Sequence, residues 1–100
     1  MKIKFSTGEY NCRLIWTEYT DNGNVAIVAK DAEGCEAIGV LSVNTYEELP
    51  PDVVAIKDYS ENEGVLKSLI DNRVIGEPED WINIGYVQVP VCRILERKTV

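Results

Sequence analysis

The turn signal "DNGN" at residues 21–24 restricts the fold of this chain more than any other feature. Asparagine and glycine readily adopt the positive φ angles of a type I′ turn, which joins two antiparallel strands. Apolar and polar residues alternate over residues 10–20 before the turn, and an apolar run follows at 25–30. A second turn, "DAEG" at 31–34, leads into another apolar run at 35–44. We therefore expect a meander of three antiparallel strands.

Three further segments have the residue pattern of a strand: 2–6, 53–57 and 86–95. Pro90 lies inside the last of them and has no N–H to donate, so it predicts an edge position or a bulge. The segment 71–80, "DNRVIGEPED", is rich in turn-forming and acidic residues and is expected to be a loop.

Residues 60–71 have the pattern of the main helix. Ser60 is suited to the N-cap position, and Glu63 three residues later would complete a capping box. Gly64 costs a helix about 1 kcal/mol relative to alanine, so its presence here indicates close packing at that position. The apolar stripe of this helix consists of Val65, Leu66, Leu69 and Ile70.

These patterns predict an α+β protein, in which an antiparallel β-meander sheet of four to six strands carries one main helix packed on one face. One hundred residues correspond to a single compact domain, residues 1–100, with about the last five residues frayed. No apolar run approaches the ~18 residues that a membrane-spanning helix needs. The first residues alternate in polarity and lack the apolar block of a signal peptide, so we expect a cytoplasmic protein without a membrane partner.

The absence of histidine restricts the possible chemistry. Cys12, Cys35 and Cys92 form no CxxC pair, which is a poor match to structural zinc spacing, so we expect no metal and no other cofactor. Each cysteine lies in an apolar run, and we expect all three to be reduced and at least partly buried. Without histidine the commonest general base is missing, and we expect a protein that is not an enzyme.

The negative charge is concentrated in one part of the chain. Residues 44–80 contain ten acidic and three basic residues, whereas acidic and basic residues balance in the rest of the chain. Direct binding to nucleic acid is disfavoured, because phosphate binding needs clustered Lys and Arg side chains. A basic protein partner fits the charge. Alternatively, the charge serves only to keep a small domain soluble.

Two aromatic residues lie next to acids in this segment. Tyr59 precedes the expected helix start, and Trp81 directly follows Asp80. An aromatic anchor within a polar rim is typical of a protein–protein interface. The candidate partner-binding residues are Tyr59, Glu61, Asn62, Glu77, Glu79, Asp80 and Trp81.

The order of several segments resembles a known family. "DNGNVAI" is followed by "GVLSVN", by a loop ending in "LP", by "IKDYSENEGVLKSLIDNRVI" and by "GYVQVPVCRI", which together cover about residues 19 to 95. This series resembles a family of short uncharacterised proteins of phages and bacterial mobile elements, classed as a domain of unknown function, some of which are similar to anti-CRISPR proteins. The resemblance implies a protein that inhibits a host defence nuclease. Its partner would then be a basic protein or a ribonucleoprotein effector complex, including the Cas9-type complexes, whose nucleic-acid channels are positively charged.

Two alternatives remain open from the sequence. The chain could be an accessory domain with no inhibitory target, or a small enzyme that uses a carboxylate pair from Glu77, Glu79 and Asp80. The residues leave the identity of the target and the oligomeric state open.

Overall fold

Seven strands and one short α-helix make up the protein, and the computed structural model describes all 100 residues. The predicted α+β class is confirmed. A single turn of 3₁₀ helix, Ser60–Asn62, precedes the α-helix α1, Val65–Asp71. The strands in chain order are β1 Lys2–Phe5, β2 Gly8–Glu18, β3 Val25–Asp31, β4 Ala37–Val40, β5 Val53–Ala55, β6 Ile75–Ile84 and β7 Val87–Ile94.

The strands divide into two antiparallel sheets, one with the order β1-β2-β3-β4 and one with the order β5-β7-β6. The first sheet contains the predicted meander. A bridge between Ser42 and Ile56 joins the two sheets, and the N–H of Val43 donates to the carbonyl of Ala55. The predicted antiparallel sheet is present with four strands, and a second sheet of three strands meets it at this short junction.

The predicted β2–β3 hairpin is present, but its turn is wider than a type I′ turn. The N–H of Tyr19 donates to the carbonyl of Asn24 at 2.8 Å, so four residues form the loop. Only Gly23 in this loop has a positive φ, of 76°. The side chain of Asn22 donates to the carbonyl of Thr45 and accepts from the N–H of Asn24, and these bonds hold the wider loop.

Strand β7 is the middle strand of the second sheet, so the predicted edge position of Pro90 is wrong. The carbonyl of Pro90 accepts from the N–H of Ile56 at 3.0 Å. The nitrogen and carbonyl of one strand residue point to the same side. The proline nitrogen therefore faces Ile56, one residue beyond the end of β5 at Ala55, so the N–H that proline lacks falls at the end of this ladder.

The predicted loop over 71–80 is also wrong, because β6 begins at Ile75. The register of β6 against β7 shifts on both sides of Pro78. Strand β6 lies at the edge of its sheet, where a proline, bulges and charged side chains are tolerated. Its strand character comes from pairing with β7 and leaves little trace in its own residue pattern.

Helix α1 ends at Asp71 as predicted, but the predicted capping box does not form. Its N-cap residue is Gly64, with φ of 108°. Asp58 supplies the cap instead, because its Oδ1 accepts from the N–H groups of Gly64, at 3.1 Å, and Leu66, at 2.9 Å. Ser60 has a φ of 55° within the 3₁₀ turn and makes no capping bond.

The apolar stripe of α1 packs into the main core, as predicted. Val65 and Leu69 are fully buried in one cluster with Leu14, Ile27 and Leu41. Leu66 and Ile70 are partly buried against the same cluster, as is Trp16.

The start of the helix also packs closely, which confirms the interpretation of Gly64. A Cβ atom at this position would lie 3.1 Å from the carbonyl oxygen of Lys4. The Ser68 Oγ on the next turn accepts from the N–H of Lys4 at 2.8 Å. The helix therefore covers the backbone of β1.

The C-terminal segment, for which the sequence predicts fraying, makes hydrogen bonds to β2. The N–H of Leu14 donates to the carbonyl of Thr99 at 2.7 Å, and the Trp16 indole N–H donates to the carbonyl of Lys98 at 2.8 Å. The guanidinium of Arg97 lies 5.3 Å from the centre of the Trp16 ring. A backbone pairing and an aromatic contact thus fix residues that a sequence pattern alone marks as a free end.

Candidate partner-binding site

Ion pairs neutralise part of the acidic segment. Lys57 binds Glu61 at 2.5 Å, and Lys67 binds Asp71 at 2.7 Å. Arg93 of β7 binds Glu79 and also Asp52. Asp58 is occupied in capping α1. The acids of the segment that take part in none of these contacts are Glu47, Glu48, Glu63, Glu77 and Asp80.

Four of the predicted site residues lie together on β6. The burial pattern of this strand alternates except at Glu79, Asp80 and Trp81, which are exposed in succession. The register shift between Pro78 and Asp80 accounts for this run, because a bulge redirects side chains and breaks the regular alternation. The bulge therefore leaves Glu79, Asp80 and Trp81 exposed in succession along the edge strand, and the regular pairing from Asp80 onward places Asp80 and Trp81 on opposite faces of the sheet.

Glu79 is held in place by Arg93. The guanidinium donates from Nε to Oε2 at 3.1 Å and from Nη2 to Oε1 at 3.0 Å, which is a bidentate geometry. The hydrogen bond to Glu79 is the main cause that raises the pKa of Arg93, and Asp52 adds to it. Since both partners are about half exposed, this pair orients Glu79 more than it stabilises the fold.

Trp81 is the exposed aromatic residue of this group. Its side chain stays 51% exposed although it lies opposite Pro90 in the sheet. Asp80 accepts from the backbone N–H of Trp81 through Oδ1 at 2.8 Å. Glu77 lies on the other side of the bulge and is exposed. The group on β6 therefore combines an accessible indole with two unpaired carboxylates, and we call Glu77, Glu79, Asp80 and Trp81 the β6 patch.

The other three predicted residues lie around the 3₁₀ turn, and one of them is excluded as a contact. Asn62 is only 2% exposed, and its amide donates to the carbonyl of Val40 at 2.7 Å. It fastens the turn to β4 and is not available to a partner. Tyr59 is half-buried against the small cluster under β5 and β7, with the Lys57 ammonium 5.4 Å from its ring centre.

Glu61 is exposed and lines a groove of about 400 Å³. The hydrogen bond from Lys57 lowers the pKa of Glu61 below its ordinary value. The lining of the groove also includes Phe5 and Tyr10, which pack edge to face. Sequence reasoning missed these aromatic residues because their alternation predicts only a strand.

The predicted residues fall into two groups along the chain, one around the 3₁₀ turn and one on β6. The carbonyl of Glu61 accepts from the N–H of Ser6, which ties the first group to the β1–β2 turn. Glu79 is tied to β7 of the second sheet through Arg93.

A further exposed region lies where two turns meet the end of β6, and the sequence reasoning did not single it out. Tyr46 is 92% exposed, and Tyr86 at the tip of the β6–β7 hairpin is fully exposed. Beside Tyr46 lies a concavity of about 340 Å³, lined by Asp21, Asn22, Asn44, Thr45, Tyr46 and Ile84. The only signal of this region in the sequence is that Tyr46 and Tyr86 each lie in a turn-like stretch.

The cysteines are free, and two of them are buried. Burial is the main cause that raises the pKa of Cys92 to about 12, and the charges of Glu77 and Glu79 add to it. Burial likewise raises the pKa of Cys12. Cys35 lies in the β3–β4 turn and is exposed, which corrects the expectation that all three are at least partly buried.

No three His, Cys, Asp or Glu side chains are grouped so that they could hold a metal ion. None of the helices has the length and apolar character needed to cross a membrane. Comparisons with protein-family models, curated proteins and solved structures gave no match to this chain. The resemblance to phage and mobile-element proteins thus stays a prediction.

Proposed function

We propose that this protein is a protein-binding inhibitor of a host defence system, encoded by a phage or mobile element and acting in the cytoplasm. In this proposal the β6 patch faces a basic, nucleic-acid-binding surface of an anti-CRISPR-type target, with a type II (Cas9-type) effector complex as the first candidate. The resemblance in segment order supplies the class of target. The charge and exposure of the β6 patch supply the contact surface.

The observation that carries the proposal is an exposed Trp81 that directly follows Asp80 on β6, the strand that also bears Glu77; neither carboxylate has an ion-pair partner. Tryptophan is among the residues that dominate the energy of protein interfaces, where it fills a pocket and excludes water. Unpaired charges at the rim speed the encounter with an oppositely charged surface. Glu79 adds a third carboxylate whose position is fixed by Arg93.

The target surface follows from the chemistry of this patch. Effector complexes hold the guide–target duplex in a positively charged channel and contact its backbone. Carboxylates on a protein edge can occupy such a surface in place of phosphates. The patch would then compete with DNA, and inhibition would weaken as salt screens the charges over about 8 Å at physiological ionic strength.

The test is a DNA-cleavage assay with a purified, guide-loaded type II effector at several salt concentrations. The wild type should protect the DNA. The variant Glu77→Gln/Asp80→Asn should associate about tenfold more slowly at low salt, and the difference should shrink as salt rises. Trp81→Ala should raise the dissociation rate, since anchors of this kind are worth about 2 kcal/mol or more.

The matched control is Glu33→Gln/Glu36→Gln, which removes the same charge from the exposed β3–β4 turn of the first sheet. This control should inhibit like the wild type. A wild type that gives no protection would refute the proposal. If the control and the β6 variant lose inhibition equally, only the net charge of the protein matters. The β6 patch would then no longer be part of the proposal.

A second candidate function is favoured by the edge position of β6. Pro78, the two register shifts and the acids are features that prevent an edge strand from pairing with another chain. On this reading the protein is an accessory domain without an inhibitory target, and the acids keep it soluble. The variant Glu77→Gln/Asp80→Asn would then self-associate with rising concentration in light scattering, while the wild type would leave DNA cleavage unchanged.

A further inference from the structure

The concavity beside Tyr46 is formed by three separate segments. Asp21 and Asn22 come from the β2–β3 turn, Asn44 to Tyr46 from the connection after β4, and Ile84 from the end of β6. Its volume of about 340 Å³ is enough for the end of one long side chain. Tyr46 lies on its rim with 92% of its surface exposed. A large aromatic side chain with so little contact in its own protein is available to a partner.

Asn24 joins two of the three segments that line this concavity, the β2–β3 turn and the connection after β4. Its buried amide group donates to the side chain of Asn44, to the Thr45 hydroxyl and to the carbonyl of Glu47, at 3.2, 3.1 and 2.8 Å. Its Oδ1 accepts from the N–H of Leu49 at 2.7 Å. A site whose walls are already ordered loses less entropy when a ligand binds.

The charge around the concavity selects a cation. Asp21 lines it, and Glu47 and Glu48 directly follow Tyr46; none of the three takes part in an ion pair. No Lys or Arg is among the lining residues. The remaining lining is an aromatic ring, an aliphatic side chain and polar groups, so an anion would find no positive partner here.

We infer that this concavity takes an arginine side chain of a protein partner. The guanidinium stacks on the Tyr46 ring and faces the Asp21 carboxylate, and the methylene stem lies against Ile84. Arginine fits better than lysine, because its planar group stacks on aromatic rings and binds carboxylates in a fork. The inference rests on the proposed function, for which it names the side chain that a basic partner supplies at a second contact.

The test uses acetyl-Gly-Arg-Gly-amide as the probe in an NMR titration of ¹⁵N-labelled protein. Saturable shifts are expected at the side-chain amides of Asn22 and Asn44. The same peptide with citrulline, which keeps the shape without the charge, should give no saturable shift. The lysine peptide should bind a few-fold more weakly than the arginine peptide.

Variants test each contact separately. Asp21→Asn and Tyr46→Ala should each weaken the binding of the arginine peptide by about two- to fivefold, as expected for exposed charge pairs and cation–π contacts. Tyr46→Phe keeps the ring and should bind like the wild type. Glu33→Gln removes one charge from the distant β3–β4 turn and is the matched control, for which no change is expected.

Equal binding of the citrulline peptide would overturn the inference, and so would shifts that do not saturate or that lie away from the concavity. Failure here is distinguishable from failure of the proposed function. If the peptide does not bind but the protein still blocks DNA cleavage, only the arginine site is refuted. If the peptide binds at the concavity and cleavage is not blocked, the arginine site stands and the target class is wrong.

Discussion

Replacing Asn24 by alanine should destabilise the protein more than any other single asparagine substitution. Asn24 is only 3% exposed and joins the β2–β3 turn to the connection after β4. An amide nitrogen carries two hydrogens, so at most two of its three acceptors are served at one time. Glu47 keeps a bond from the Thr45 hydroxyl in the variant, at 2.7 Å, but the N–H of Leu49 loses the acceptor of its 2.7 Å bond.

The magnitude follows from these bonds. Each lost hydrogen bond is worth about 1 kcal/mol, and an orphaned buried donor costs about 1–3 kcal/mol. We therefore expect a loss of about 3 kcal/mol in the free energy of unfolding. This is a large share of the 5–15 kcal/mol that is typical of small domains. With a urea m-value of about 1–3 kcal/mol/M, the unfolding midpoint should fall by about 1 to 3 M.

The assay is urea unfolding followed by the fluorescence of Trp16 and Trp81. Asn83→Ala on the exposed face of β6 is the matched control and should stay within about 0.5 kcal/mol of the wild type. A loss below about 1 kcal/mol for Asn24→Ala would refute the reasoning. It would mean that the connection after β4 relaxes around the missing amide. The argument that the arginine site is ordered before binding would then no longer hold.

Three further outcomes are expected. Asp58→Ala should lower the free energy of unfolding by about 1 kcal/mol in urea unfolding, whereas Asp58→Asn, which keeps an acceptor, should lose less; equal losses would exclude the cap. A thiol reagent should modify Cys35 at once and the two buried thiols only after unfolding, because burial raises the pKa of Cys92 to about 12; rapid reaction of a second thiol would contradict this. The Lys57 hydrogen bond lowers the pKa of Glu61 below its ordinary 4.5, so the pair stabilises the fold above about pH 4.5 and is lost as the pH falls through the lower folded value. Glu61→Gln should therefore be less stable than the wild type at neutral pH and equal to it in acid, and a gap that persists in acid would argue against the pair.

The strands of the first sheet and the stripe of α1 were predictable because their signals are local. Alternation over two residues marks β2, and the spacing of Val65 and Leu69 marks a helix. The cap was not predictable, since the choice between Ser60 and Asp58 depends on the 3₁₀ turn that places Asp58 under the helix start. A capping box requires its N-cap residue to have an extended backbone conformation. Ser60 has a positive φ, so it cannot take that role.

Part of the candidate site was also predictable, because some of its residues are neighbours in the sequence. Glu79, Asp80 and Trp81 are neighbours in sequence, so they stay together whether the segment is a loop or a strand. Asn62 was not recognised as buried, because an amide suits either environment. Its partner, the carbonyl of Val40, lies 22 residues away. Only the folded chain shows that this carbonyl needs a donor.

Two segments from opposite ends of the sequence lie along the same side of β2. Cys12 pairs with Met1, whereas Leu14 pairs with Thr99, and Trp16 reaches Lys98 across 82 residues of sequence. Contacts between residues so far apart in sequence raise the contact order of the fold. Such contacts form slowly, because a long loop must close first. The chain should thus fold more slowly than a local helical bundle of its size. Joining residue 100 to residue 1 by a short linker, with new ends in the exposed stretch 47–48, would make these contacts local and should speed refolding.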